Sequence, residues 1–233
     1  MEKGLAVEIK SLIDRYQSCV TGIERRAKDS VERAYGGIIR ADKGALVEAL
    51  AKSLVGIAWK QLRRDPARLS LGRETIRVPI KQEYIDRLKS PEVKKFVKEH
   101  IEDFCYPLRT DVHVHVDGEF KIAVECKAYT ENAMLKRILV DFTLLRQVYP
   151  KLSFVLLQLE SQLGGDYSTS NPLKYGSPST HTLLSYFDID LNIITLLEGE
   201  RRIDQPIHKP DYYKPLREKS LLAALEVFKN LLR

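Results

Sequence analysis

The stretch TDVHVHVDGEFKIAVECK, Thr110 to Lys127, holds two different sets of metal-binding side chains. His113 and His115 form an H-x-H pair, a nitrogen donor set that suits zinc. Asp111, followed at a distance by Glu125-x-Lys127, is an oxygen donor set that suits a hard cation. Alternation along a strand separates the two faces. Asp111, His113 and His115 share one face of a first strand, and Val112, Val114 and Val116 share the other. In the second strand, Lys121, Ala123, Glu125 and Lys127 share a face opposite Phe120, Ile122, Val124 and Cys126.

The apolar faces must coincide for the hairpin to pack on a core, and that requirement constrains the turn. A two-residue loop at Asp117-Gly118 pairs Val116 with Glu119, and so Asp111 with Val124, setting polar against apolar side chains throughout. An odd loop repairs the parity. The expectation is a three-residue turn, 117–119 or 116–118, with Gly118 left-handed and a bulge. Asp111 then lies opposite Glu125 or diagonal to it, with Lys127 one step beyond on the same face. Two adjacent carboxylates repel unless a cation joins them. Mg²⁺ binds through one or two carboxylates while keeping several waters. There it would polarise a phosphodiester and acidify a bound water. Lys127 is placed to orient or help deprotonate that water, and to stabilise charge developing on phosphorus. The backbone carbonyl of Cys126 is a further candidate ligand, which leaves the thiol side chain facing the core.

Outward from this hairpin, the periodicity predicts a helix over 5–34, broken by Gly36-Gly37. A second helix is predicted from an N-cap at Asp42 through the stripe Leu46, Leu50, Leu54, Ile57 and Ala58 to about Leu62, ended by Asp65-Pro66. Residues 70–82 read as irregular or short strand. A helix starts at Ser90-Pro91-Glu92 and closes by Pro107. After the hairpin come a helix from Glu131 to Val148, buried strands at 153–160 and 191–198 with a long polar loop between them, and an amphipathic C-terminal helix. Helices, hairpin, then helix–strand–loop–strand–helix imply an α/β fold, a mixed sheet flanked by helices. The chain is too short for an eight-fold βα barrel.

The 233 residues are 44% hydrophobic and 30% charged, with a net charge of +6. That is enough for one well-buried domain. The mild positive balance suits contact with a polyanion over part of the surface. Cys19, Cys105 and Cys126 show neither a C-x-x-C pair nor zinc spacing, which suggests reduced thiols in the cytoplasm. No apolar run approaches the ~20 residues of a membrane span. No phosphate-binding loop, dinucleotide fingerprint or nucleophile elbow is present.

The order of an acid-bearing helix, a D…ExK hairpin, a helix and a strand, over residues 43–160, resembles the PD-(D/E)xK nuclease superfamily. Size and layout are most similar to its type II restriction endonucleases. The position before Asp111 is Thr110 rather than the family's proline. The resemblance implies a restriction-endonuclease-like sheet core within a single nuclease domain, 1–233. Its parts are a helical N-terminal region (1–40), a catalytic core (41–200) and a C-terminal helix (215–233). It implies Asp111 and Glu125 as metal ligands, Lys127 as the catalytic lysine, and Glu48 of the early helix as an auxiliary acid. It also implies Mg²⁺ (or Mn²⁺ in its place), double-stranded DNA cut at a short palindrome, a homodimer, and a companion DNA methyltransferase. A structure-specific repair or recombination nuclease of the same superfamily and a non-catalytic DNA-binding module are the rivals.

The H-x-H pair is similar to that of amidohydrolases, but those need more histidines on barrel strands, and only His100, His181 and His208 remain. His113 is therefore expected to be structural or to lie beside the cleft, and His115 to be exposed. The loop GGDYSTSNPLKYGSPST exceeds ordinary connection lengths. Its Asp166, Ser168, Asn171, Lys174 and Tyr175 are candidates for reading bases or gripping phosphate. Arg25, Arg26 and Arg33 of the first helix are candidates for backbone phosphate.

Overall fold

In the computed structural model, which describes residues 3–29, 35–165 and 176–233 (backbone alone at 3, 24–29, 35, 36 and 38), the hairpin parity is repaired inside a strand, not in the turn. Asp117 and Gly118 both have positive φ, 54° and 79°, in a two-residue turn joining β4 (Val112–Val116) to β5 (Glu119–Glu131). Such a turn matches the twist of its strands, and Asp-Gly readily adopts it. Val116 pairs with Glu119 and His115 with Phe120; the register then shifts, and Val114 pairs with Ile122. Lys121 is the extra, bulged residue. The three-residue loop is thus corrected to a tight turn plus a strand bulge. Beyond the bulge Val112 pairs with Val124, so one further step sets Asp111 across from Glu125.

The bulge also moves Phe120. Sequence alternation puts it with Ile122 and Val124; the structure turns it to the opposite face, where its ring lies 4.5 Å from His113 and 5.1 Å from His115. The supposed polar face is therefore covered over much of its length, and both sides of the sheet are packed.

Five strands form one mixed sheet, ordered β1 (Leu69–Gly72), β4, β5, β6 (Ser153–Gln162) and β7 (Leu191–Thr195). β1, β4 and β5 are antiparallel; β5, β6 and β7 are parallel. On one side, Val112, Val114, Ile122, Val124, Val155 and Leu157 pack against α1 (Lys3–Asp29), α2 (Tyr35–Gln61) and α7 (Glu218–Leu232). On the other, Ala123, Phe154 and Leu156 pack against α5 (Asn132–Val148). This is the α/β class expected, a mixed sheet flanked by helices.

Several local expectations change. Gly36 and Gly37 lie within α2, which starts at Tyr35, so Asp42 is inside the helix and is not its N-cap. Each glycine costs helix propensity of about 1 kcal/mol, but the buried stripe Leu46, Leu50, Leu54 and Ala58 outweighs that loss. The helix ends as expected, at Gln61, where Arg63 turns to positive φ. The segment 70–82 contributes β1 and β2 (Ile76–Pro79). After it, α3 (Gln82–Asp86) precedes α4 (Pro91–Glu99), whose Ser90 cap accepts from Val93 N–H. Pro107 does not close that helix; it lies in β3 (Cys105–Leu108), whose partner is β2. The long polar loop is shortened by α6 (Pro178–Ser185), capped by Ser177. The C-terminal helix packs on the core, with Leu221, Leu225 and Phe228 buried.

Candidate active site

Asp111, Glu125 and Lys127 meet at the start of β4 and the middle of β5, as the hairpin pattern predicts. The Lys127 ammonium is paired with the Glu125 carboxylate and lies 3.7 Å from Asp111 Oδ2. The Cys126 backbone N–H donates to the same Asp111 oxygen at 2.8 Å. That bond fixes the carboxylate against the strand, while the Cys126 side chain points into the apolar core, where burial pushes its thiol well up.

Glu48 reaches this group from α2. It is tied to it by Arg73, whose guanidinium lies 3.2 Å from Glu48 Oε1 and 3.2 Å from Asp111 Oδ1. Arg73 sits in the connection between β1 and β2 and was not singled out in the sequence. Nothing in the surrounding LGRET distinguishes it, because its role depends on β1 lying beside β4. On the other side of Lys127, a cleft of about 280 Å³ is lined by Arg109, Glu125, Lys127, Met134, Arg137, Ile138 and Asp141. Sequence reasoning missed Arg109, Arg137 and Asp141 as well. The last two come from the exposed side of α5, where charges look like ordinary solvated residues.

The electrostatics follow from gathering the acids Glu48, Asp111, Glu125 and Asp141 in and around a partly buried cleft. Burial raises the Glu125 carboxyl above its usual range; Lys127 opposes this, and Asp111 and Asp141 add to it. Burial works against the Lys127 ammonium, but Glu125 and Asp111 more than offset it, so Lys127 is held as a cation. Burial also raises Asp141. A centre of two close carboxylates whose repulsion cations relieve fits a hard divalent ion on its oxygen donors.

The H-x-H pair does not join this group. His113 is buried and Nδ1 lies 2.9 Å from Glu74 Oε2; burial holds its imidazole below the usual range, although Glu74 opposes this. His115 is half-buried, not exposed, because β1 and Phe120 flank it. Both lie on an open sheet, not in a barrel. Asp166, Ser168, Asn171, Lys174, Tyr175 and Arg33, and the side chains of Arg25 and Arg26, lie outside the described residues.

Comparison with known proteins gives the family. No family model matches. The chain is 46% identical over 223 residues to the type II restriction enzyme DdeI of Desulfomicrobium norvegicum, covering 94% of this chain and 93% of that protein. The chain belongs to the type II restriction enzymes. It is a site-specific endonuclease, and the repair branch and the vestigial binding module drop out as rivals. The solved structure of the native BbvCI A2B2 tetramer aligns over 100% of this chain and 98% of that chain, at 14% identity and a TM-score of 0.38. No helix among the described residues of this restriction enzyme is long and apolar enough to cross a membrane.

Proposed function

We propose that this restriction enzyme hydrolyses phosphodiesters of double-stranded DNA at a short palindrome, through a PD-(D/E)xK-type centre of Asp111, Glu125 and Lys127. The observation that carries this is the meeting of both carboxylates around one lysine ammonium. Asp111, Glu125 and the Cys126 carbonyl would hold Mg²⁺, with Mn²⁺ as a substitute, and Glu48 is the auxiliary acid. The ion, when bound, supplies charge to polarise the phosphodiester and to acidify a water.

The side chains set the rest. Glu125 must be ionised to hold a cation, and burial makes ionisation costly, so metal and proton compete for it. Lys127, held as a cation, serves as a fixed positive charge toward the pentacoordinate phosphorus rather than as a base. Arg73 and Arg109 extend positive charge on either side. A second recess, of about 460 Å³, lies further along β5 and is lined by Arg40, Lys43, Tyr129, Glu160, Arg201 and Lys209; its cations suit backbone phosphate.

A two-fold DNA site calls for a two-fold protein, so a homodimer is the assembly proposed, with a methyltransferase protecting the same sequence in the cytoplasm. The whole chain acts as one nuclease domain. The test is a digest of unmethylated phage DNA with Mg²⁺ or with EDTA, beside Lys127→Ala. Discrete metal-dependent bands that vanish in the variant are expected. Undiminished cleavage by Lys127→Ala would move the centre elsewhere.

A further inference from the structure

We propose that Glu74, His113 and His115 form a second metal site, which takes a transition-metal ion of the Zn²⁺ class rather than Mg²⁺. One ligand atom from each residue lies within 4.8 Å of the others. Two imidazoles and one carboxylate are a borderline donor set, the kind that prefers zinc over hard cations. A tetrahedral ion with bonds of about 2.1 Å holds its ligand atoms roughly 3.4 Å apart. His113 Nδ1 and Glu74 Oε2, at 2.9 Å, need only open slightly to admit it.

Two further observations show that the arrangement is built rather than incidental. Gly72 pairs across the sheet with His113, and a Cβ placed there would lie 2.2 Å from Glu74 Oε1. The missing side chain is thus the space into which the Glu74 carboxylate folds to reach the imidazole. His113 is also buried, and Nδ1 is the ring nitrogen that faces Glu74, so an ion there would be held between a fixed imidazole and the carboxylate. The Phe120 ring, brought to this face by the bulge, lies against both imidazoles and limits their rotation.

Glu74 is well exposed, so the fourth position is open to water, as in zinc sites with three protein ligands. The consequence is mechanical. Glu74 follows Arg73, and Arg73 is the cation that joins Glu48 to Asp111. An ion on Glu74 would fasten the β1–β2 connection to β4 and so hold Arg73 in place beside the carboxylates. The site is independent of how the carboxylate centre is read.

Its test therefore reads metal, not cleavage. The full chain is stripped with chelator, then titrated with Zn²⁺ to measure bound metal, and with Co²⁺ to follow visible d–d absorption. About one equivalent of Zn²⁺ per chain is expected, with a tetrahedral Co²⁺ spectrum. His115→Ala should abolish both, while Asp111→Ala should keep both. Gly72→Ala leaves every ligand in place, and its backbone conformation suits alanine. Its Cβ displaces the Glu74 carboxylate, and it should weaken Zn²⁺ binding by about ten- to a hundredfold. Failure of the stripped protein to take up Zn²⁺ would overturn the proposal. So would Zn²⁺ uptake and Co²⁺ spectra unchanged in both His115→Ala and Gly72→Ala.

Discussion

Arg73 and Glu74 are neighbours in one short connection, yet they serve two clusters that solve opposite problems. Arg73 faces Glu48 and Asp111, an all-oxygen group in which carboxylates crowd together and cations, Arg73 and Lys127, relieve the repulsion. Glu74 faces His113 and His115, a nitrogen-rich group in which one carboxylate meets two imidazoles. β4 feeds both, Asp111 standing just before its first residue and the histidines following it on the same face. The difference shows that spacing along a strand sets which residues share a face. Which donors converge is decided by the strand or helix lying beside each position.

The sharpest way to separate the clusters is at the carboxylate end. Lys127→Ala and Asp111→Ala should each lower cleavage by about a thousandfold or more, the scale for losing a positioned charge in an active centre. DNA binding in Ca²⁺, read by gel shift, should survive. A comparable loss of cleavage on removing Glu74 would mean the two clusters act as one. Glu48→Gln is expected to do less, lowering cleavage by roughly tenfold at saturating Mg²⁺, because Glu48 reaches Asp111 by way of Arg73.

Arg73→Met refines the contrast. The guanidinium competes with any cation at Asp111, and its pairs are half-exposed and individually weak. The Mg²⁺ concentration for half-maximal cleavage should fall by about two- to fivefold; an unchanged requirement would show that Arg73 stays clear of the ion.

The smallest effect is one of pH. Glu125 has a folded-state pKa raised above its ordinary value, chiefly by burial, so the folded chain holds the proton more tightly than the unfolded one. The stability from its neutral form is complete below the ordinary glutamate value and is lost as pH rises through the raised one. In EDTA, Glu125→Gln should therefore match wild type in mild acid and exceed it near neutrality, by roughly a degree or two in Tm. With Mg²⁺ added the order should reverse, since only the carboxylate gains from the ion.

Much of this was legible residue by residue. Alternation in 110–127 separated Val112, Val114, Ile122 and Val124 from Asp111, Glu125 and Lys127, and parity alone demanded an irregularity in the hairpin. It could not locate it, because a bulge at Lys121 and a longer turn restore the same parity. Alternation alone accordingly puts Phe120 on the face opposite the one it occupies. The Gly36-Gly37 break failed for a different reason: local propensity yields to a buried stripe further along the same helix. Arg73, Asp141 and Arg109 carried no signal, since nothing within the sequence window tells a cation or acid aimed at a site from a solvated one.

The order of residues alone establishes a set of chemical groups and their sidedness: an acid and an ExK on one face, an apolar back, and helices to cover it. Which partners those groups meet is a matter of tertiary packing. It set β1 against β4, which brings Arg73 and Glu74 to residues nearly forty positions away. It also packed both sheet faces, which turned a polar stripe into a half-buried centre. Sidedness follows from backbone geometry within one strand, whereas partnership depends on which surfaces exclude water together.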